Sequence, residues 1–289
     1  MKPSVCQLYP FALVNTPDGY FLSASYSCPA VIAGTGSAVS EQLDGLTEIV
    51  KNSPYFSDDD TFEPPTITIS ENTKIPWSEY LVMEKTMLES IGSVDPVRDI
   101  IHIAASLAAG GKLNPDGQPS GHHHWNSLLT EEALNLLPMF AANSMSVLER
   151  DGVSDRRKQF SLDILNHPGT HSNLLHTPLP QFRYHKPTNL MTTQVINRYI
   201  RNLVWGKRLV CGPTLVTRLL VLATSISILL FYLDALAEGK ANHHFSFDDL
   251  EWCFDLIESS LITHANDLEP TFLEYERAIM AILDVLQTA

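Results

Sequence analysis

Two of the four cysteines, Cys6 and Cys28, flank a stretch that reads as a β-hairpin. Thiolates are soft ligands for zinc and for iron–sulfur clusters, and two from one hairpin supply half of a four-ligand site. The same spacing also suits two free cysteines or a cross-strand disulfide. Between them, Asn15-Thr16-Pro17-Asp18-Gly19 is a turn signal, since proline presets φ and glycine accepts positive φ. Gln7–Val14 and Tyr20–Ser27 are rich in aromatic and β-compatible residues and are the expected strands. A turn centred on Pro17 and Asp18 sets Cys6 and Cys28 against each other at the open end. Cys211 and Cys253 fall on helical segments and read as core residues.

Other side chains invite chemistry of different kinds. Glu84 falls on the apolar stripe of an expected helix, Trp77 to Ile91. Such a carboxylate either reaches solvent at the boundary or is buried, where it binds a lysine ammonium or acts as a base. Arg198, Arg201, Lys207 and Arg208 make the one basic patch in an acidic chain, suited to a phosphate, a carboxylate or surface pairing. Consecutive His122, His123 and His124 diverge in any ordinary backbone. His167 and His171 have the spacing of a helical zinc motif, but Pro168 and Gly169 interrupt the helix and no glutamate follows His167. Gly34-Thr35-Gly36 lacks the glycine spacing of a dinucleotide fingerprint and reads as the entry to the next helix. The sequence holds no nucleophile motif, no phosphate loop and no catalytic carboxylate pair at convincing spacing.

The elements that must position these residues are mostly helical. Apolar stripes predict helices over Ser37–Val50, Trp77–Ile91, Pro96–Ala109, Glu131–Arg150, Phe160–Leu165, Thr192–Trp205, Pro213–Ala237, Phe247–Ala265 and Thr271–Leu286. Thr66–Ser70 reads as a short strand. Residues 166–189 carry Pro168, Pro178, Pro180 and Pro187 and read as a loop or hinge, because long irregular segments in compact chains are often functional or mobile. The expected organisation is a mainly α fold: a small N-terminal β-hairpin over residues 1–36, helices over 37–165, the irregular 166–189 segment, and a helical bundle over 190–289.

The whole-chain numbers narrow the function classes. The chain has 289 residues, 44% hydrophobic and 18% charged, which is globular composition. A formal net charge of -14 repels phosphate backbones and acidic membranes, so nucleic acid is not an expected partner. The N-terminus lacks a signal segment, and the expected location is the cytoplasm. Thr214–Leu233 approaches the roughly 20 apolar residues of a membrane span, but Thr217, Arg218, Thr224 and Ser225 mark one polar face, so a buried core helix is expected and no membrane association.

The N-terminal block also carries a resemblance. KPSVCQLYPF, NTPDG and SASYSCPAV resemble a segment of the bacterial cysteine-cluster proteins that chelate zinc or iron, a group that includes the flagellin lysine-N-methylase-like proteins. In that family a cysteine precedes a short aromatic–proline motif, a hairpin follows, and a serine-rich strand ends in Cys-Pro. Here Cys6 precedes Tyr9-Pro10-Phe11, and Cys28 precedes Pro29. Outside this block the similarity lies in helical pattern, in the Trp77–Ile91 helix and in Arg198–Leu209. The resemblance implies Cys6 and Cys28 as ligands of an iron–sulfur cluster or zinc, and a lysine N-methyltransferase using S-adenosylmethionine. Glu84, Arg198 and Arg201 are then the expected substrate contacts, with a protein as substrate or partner. The family's further cysteines lie upstream of the matched block. The expectation is therefore a C-terminal portion that cannot complete the cluster alone, and the missing ligands count against activity in this form. The competing expectation is a non-catalytic helical interaction module that contacts a partner protein through the 166–189 segment and the basic patch.

Overall fold

The computed structural model describes residues 8–52, 66–108, 155–165, 167–241 and 244–262, with single helical residues between 134 and 142 and between 273 and 281. The turn signal near the N-terminus does what proline and glycine require. Strands β1 (Phe11–Thr16) and β2 (Gly19–Ala24) pair antiparallel, with Thr16 opposite Gly19 across a Pro17-Asp18 turn. Gly19 takes φ +108, which a side chain would strain. A short helix α1 (Pro29–Ala33) follows, with proline in its first turn and Gly34 left-handed at its end. Helix α2 (Val39–Lys51) occupies the stretch expected to be helical.

A second hairpin joins β3 (Thr66–Ser70) to β4 (Thr73–Pro76), which runs directly into α3 (Trp77–Ser90). Then come α4 (Pro96–Ala108), α5 (Asp155–Leu165), α6 (Leu190–Trp205), a 3-10 turn (Arg208–Val210), α7 (Leu215–Glu238) and α8 (Phe247–Ile257). Helix α8 continues as a π-helical turn, Glu258–Ile262. The fold is mainly α, as the stripes predict. The stretches Glu131–Arg150 and Thr271–Leu286 lie almost wholly outside the described residues.

Helix α7 is the centre of the core. It packs most heavily against α4, and also against α8 and β3. Among the described residues it is the one helix long and apolar enough to cross a membrane, and 89% of its most apolar window is buried inside the protein. Its polar residues do not form a solvent face. Thr217, Arg218, Thr224, Ser225 and Ser227 are all buried. Ser225 and Ser227 donate to the carbonyls of Val221 and Ala223 at 2.8 and 2.9 Å, one turn back. Thr214 caps the helix by accepting from the Thr217 amide, and both threonine hydroxyls donate to buried Glu276. A buried hydroxyl needs such a partner, and a helix supplies one in its own previous turn.

Candidate functional site

Helix α6 carries Arg198 and Arg201 of the basic patch, and Lys207 and Arg208 follow just after its end. Asn202 presents its side-chain amide to the free edge of β2: Oδ1 accepts from the Ala24 amide at 2.8 Å, and Nδ2 donates to the Ala24 carbonyl at 2.7 Å. Gly206 lets this contact close, since a Cβ there would lie 2.4 Å from Cβ of Ser23. Arg198 donates to the Ile32 carbonyl at 2.6 Å, and Arg201 to the Ile91 carbonyl. Those carbonyls end α1 and α3, where the last turn has no intrahelical donor and carries partial negative charge. The two arginines therefore serve as side-chain caps. The guanidinium of Arg198 lies over Gly34, which takes φ +66 and has no Cβ to obstruct it.

Lys207, directly after Gly206, takes φ +60 and turns its side chain inward. It is 1% exposed, and its ammonium donates to both oxygens of Glu84, itself 4% exposed. Three rings surround the ammonium: Phe21 at 4.3 Å from its centroid, Trp205 at 5.3 Å and Trp77 at 5.9 Å. Their negative faces replace part of the lost hydration. The indole of Trp77 donates to Asp18 at 2.7 Å and ties the hairpin turn to the start of α3. Glu84 is thus buried, and it holds a lysine ammonium from its own chain.

The open end of the first hairpin is fixed by Glu258. Its Oε2 accepts from Ser25 Oγ at 2.5 Å and from the Ser27 amide at 3.0 Å. Tyr26 lies between the rings of Tyr199 and Phe254, at 4.8 and 5.3 Å. Burial pushes the Glu258 carboxyl up, and the Ser25 and Ser27 donors oppose the rise. Cys28 precedes α1 as its N-cap and is half-buried. The phenol of Tyr9 is pushed up by burial and by the Cys28 thiol beside it. Cys6 lies outside the described residues, as do His122, His123 and His124. Cys253 is in the core, as expected, and burial pushes its thiol well up. Cys211 is exposed instead of buried, because it follows the 3-10 turn and not the helix proper. Among the described residues no three His, Cys, Asp or Glu side chains cluster closely enough to hold a metal.

Sequence reasoning missed one cleft. It has a volume of about 460 Å³ and lies between residues 180–189 and the C-terminal end of α7, closed at one side by His244 and Phe245. Asp234 and Glu238, one turn apart on α7, line one wall. Arg183 and His185 line the cleft from the irregular segment, and Phe231 and Phe245 are among its lining residues. Asp234 is half-buried. Burial pushes its carboxyl up, His185 pulls it down, and Glu238 pushes it up again.

The segment that forms the second wall is irregular but pinned. Buried Asp163 accepts from Ser172 at 2.7 Å, from Gln159 at 2.8 Å and from Tyr232 at 3.0 Å. Ser172 accepts in turn from the amides of Leu174 and Leu175. The amide of Gly169 donates to the Leu179 carbonyl at 2.8 Å, and Leu179 returns a bond to Thr170. Phe182 packs on Phe231 at 5.1 Å, and the Tyr184 hydroxyl donates to Asp95. No protein-family model, curated protein or solved structure matches the chain.

Proposed function

We propose that the protein is a binding module whose recognition site is the cleft between residues 180–189 and the end of α7. The cleft itself carries this reading. At about 460 Å³ it falls within the range of small-molecule sites, and its two phenylalanines sit among eight polar or charged lining residues that can orient a ligand. In the basic patch Lys207 is buried, and Arg198 and Arg201, though exposed, each donate to a helix-end carbonyl, which favours the cleft as the recognition surface. A fragment screen by ligand-observed NMR tests it, run on the full chain and on Ala237→Trp, which fills the cleft. Hits that vanish in the variant, with an unchanged melting temperature, support the reading. No hits, or hits that persist in the variant, overturn it.

The second reading is a cysteine-cluster protein holding an iron–sulfur cluster or zinc, related to S-adenosylmethionine-dependent lysine N-methyltransferases. Its support is the Tyr9 hydroxyl beside the Cys28 thiol, because Cys6 is only three residues before Tyr9 in the chain. Cys28 is the only thiol at that end among the described residues, and a closed zinc site takes four ligands. With Cys6 the chain offers two, so the remainder of the site would have to come from elsewhere. Metal analysis of protein purified without oxygen or an affinity tag decides it. Near-stoichiometric iron or zinc that is lost in Cys6→Ser/Cys28→Ser supports the reading, and metal-free folded protein refutes it.

A further inference from the structure

The cleft divides its charge between two walls. Asp234 and Glu238 stand on α7, and Arg183 and His185 stand on the irregular segment. Asp234 and Arg183 form no ion pair with each other, and neither makes a side-chain hydrogen bond to another described residue. Asp234 is half-buried, where a carboxylate gains from a cationic partner, and Arg183 is exposed with its fork of donors open to an anion. One ligand can meet both by bringing an ammonium to Asp234 and a carboxylate to Arg183. Phe245, half-buried in the lining, offers apolar surface to the body of such a ligand.

We infer that the cleft takes a small zwitterion with an apolar body, of the free amino-acid type, its ammonium on Asp234 and its carboxylate on Arg183. This rests on the reading of the cleft as the recognition site. The lining carries both signs of charge, so the overall charge of -14 does not decide the ligand. Arg183 can meet a carboxylate with two parallel N–H donors, a geometry that a lysine at that position could not offer.

Calorimetric titration of the full chain with three probes that share a phenyl body tests the inference. These are L-phenylalanine, 2-phenylethylamine and 3-phenylpropionate, with 2-phenylethanol as the uncharged control. L-phenylalanine should bind at least about tenfold more tightly than either singly charged probe. Asp234→Asn should bring its affinity down to that of the acid, and Arg183→Gln down to that of the amine. An amine or an acid that binds as tightly as L-phenylalanine overturns the two-ended assignment. Binding of 2-phenylethanol equal to L-phenylalanine, lost in Ala237→Trp, overturns the charge assignment and leaves the cleft standing. If neither these probes nor any fragment binds, the cleft reading falls with it. The comparison among probes on the unmodified protein does not depend on either variant folding.

Discussion

Lys207 and Glu84 illustrate how one residue's setting changes its meaning. A lysine beside three other basic residues reads as surface charge, yet its ammonium is sealed between a carboxylate and three rings. Nothing local announces this, because Phe21, Glu84 and Lys207 are far apart in the chain and meet only in the fold. Removing one partner leaves a buried charge without its counterion. Glu84→Ala should cost about 3–5 kcal/mol in urea unfolding, whereas Glu84→Leu combined with Lys207→Met should cost clearly less than either single change. A double-variant cost equal to the sum of the two single costs would show that the pair contributes no coupling. Glu258 allows a pH test. Its carboxyl is raised in the folded state, so the folded chain binds its proton more readily than the unfolded chain does. This contribution to stability is present at low pH and is lost as pH rises from the ordinary carboxylate value through the raised one. Glu258→Gln lacks that loss. Its stability relative to the parent should therefore improve as pH rises above the ordinary carboxylate value of about 4. A difference that stays flat over that rise would show that Glu258 titrates as in the unfolded chain.

At the level of elements, contact between the first hairpin and α6 depends on the lack of a side chain at Gly206. Gly206→Ala pushes a methyl group into Ser23 and the Asn202 carbonyl. The expected cost is about 1–3 kcal/mol, the range for forcing an extra carbon into a close contact. Ser23→Gly should recover part of it, and a double-mutant cycle in thermal unfolding measures the share. The amphipathic helices were legible before any coordinates, because periodic apolar residues and caps are local signals. A Ser246–Asp249 capping box starts α8, and Ser246→Ala should cost about 1 kcal/mol. Short elements escaped notice. Helix α1 has only five residues, although proline at its start and Gly34 at its end are both helix-boundary signals. Strand β4 has four residues and ends in proline, too few for alternation to show. The π-helical turn at Glu258 left no trace in composition.

Over the whole molecule, the fold class could be read in advance and the cleft could not. Its lining combines residues in the 180s with residues of 231–245, and no spacing rule joins two such stretches. The irregular segment was expected to matter, and it does form a wall, but as a piece held by Asp163, Tyr232 and Asp95 and not as a free hinge. Helix α7 shows how apolar length alone misleads. A run long enough to span a bilayer is here enclosed by α4, α8 and β3. The expressed chain should therefore remain in the supernatant after high-speed centrifugation without detergent. Recovery only from carbonate-washed membranes would mean that α7 leaves its partners.

The aromatic enclosure of Lys207 also gives the molecule an optical reporter. Of the four tryptophans, Trp77 is buried at the junction of hairpin and α3, while Trp205 and Trp252 already face solvent. Any opening that lifts the first hairpin off α6 would bathe Trp77 in water and remove the cation from beside it. The emission should then move to longer wavelength while the helical signal in circular dichroism is still intact. Undocking of the N-terminal hairpin is thus readable in intrinsic fluorescence, separately from melting of the bundle.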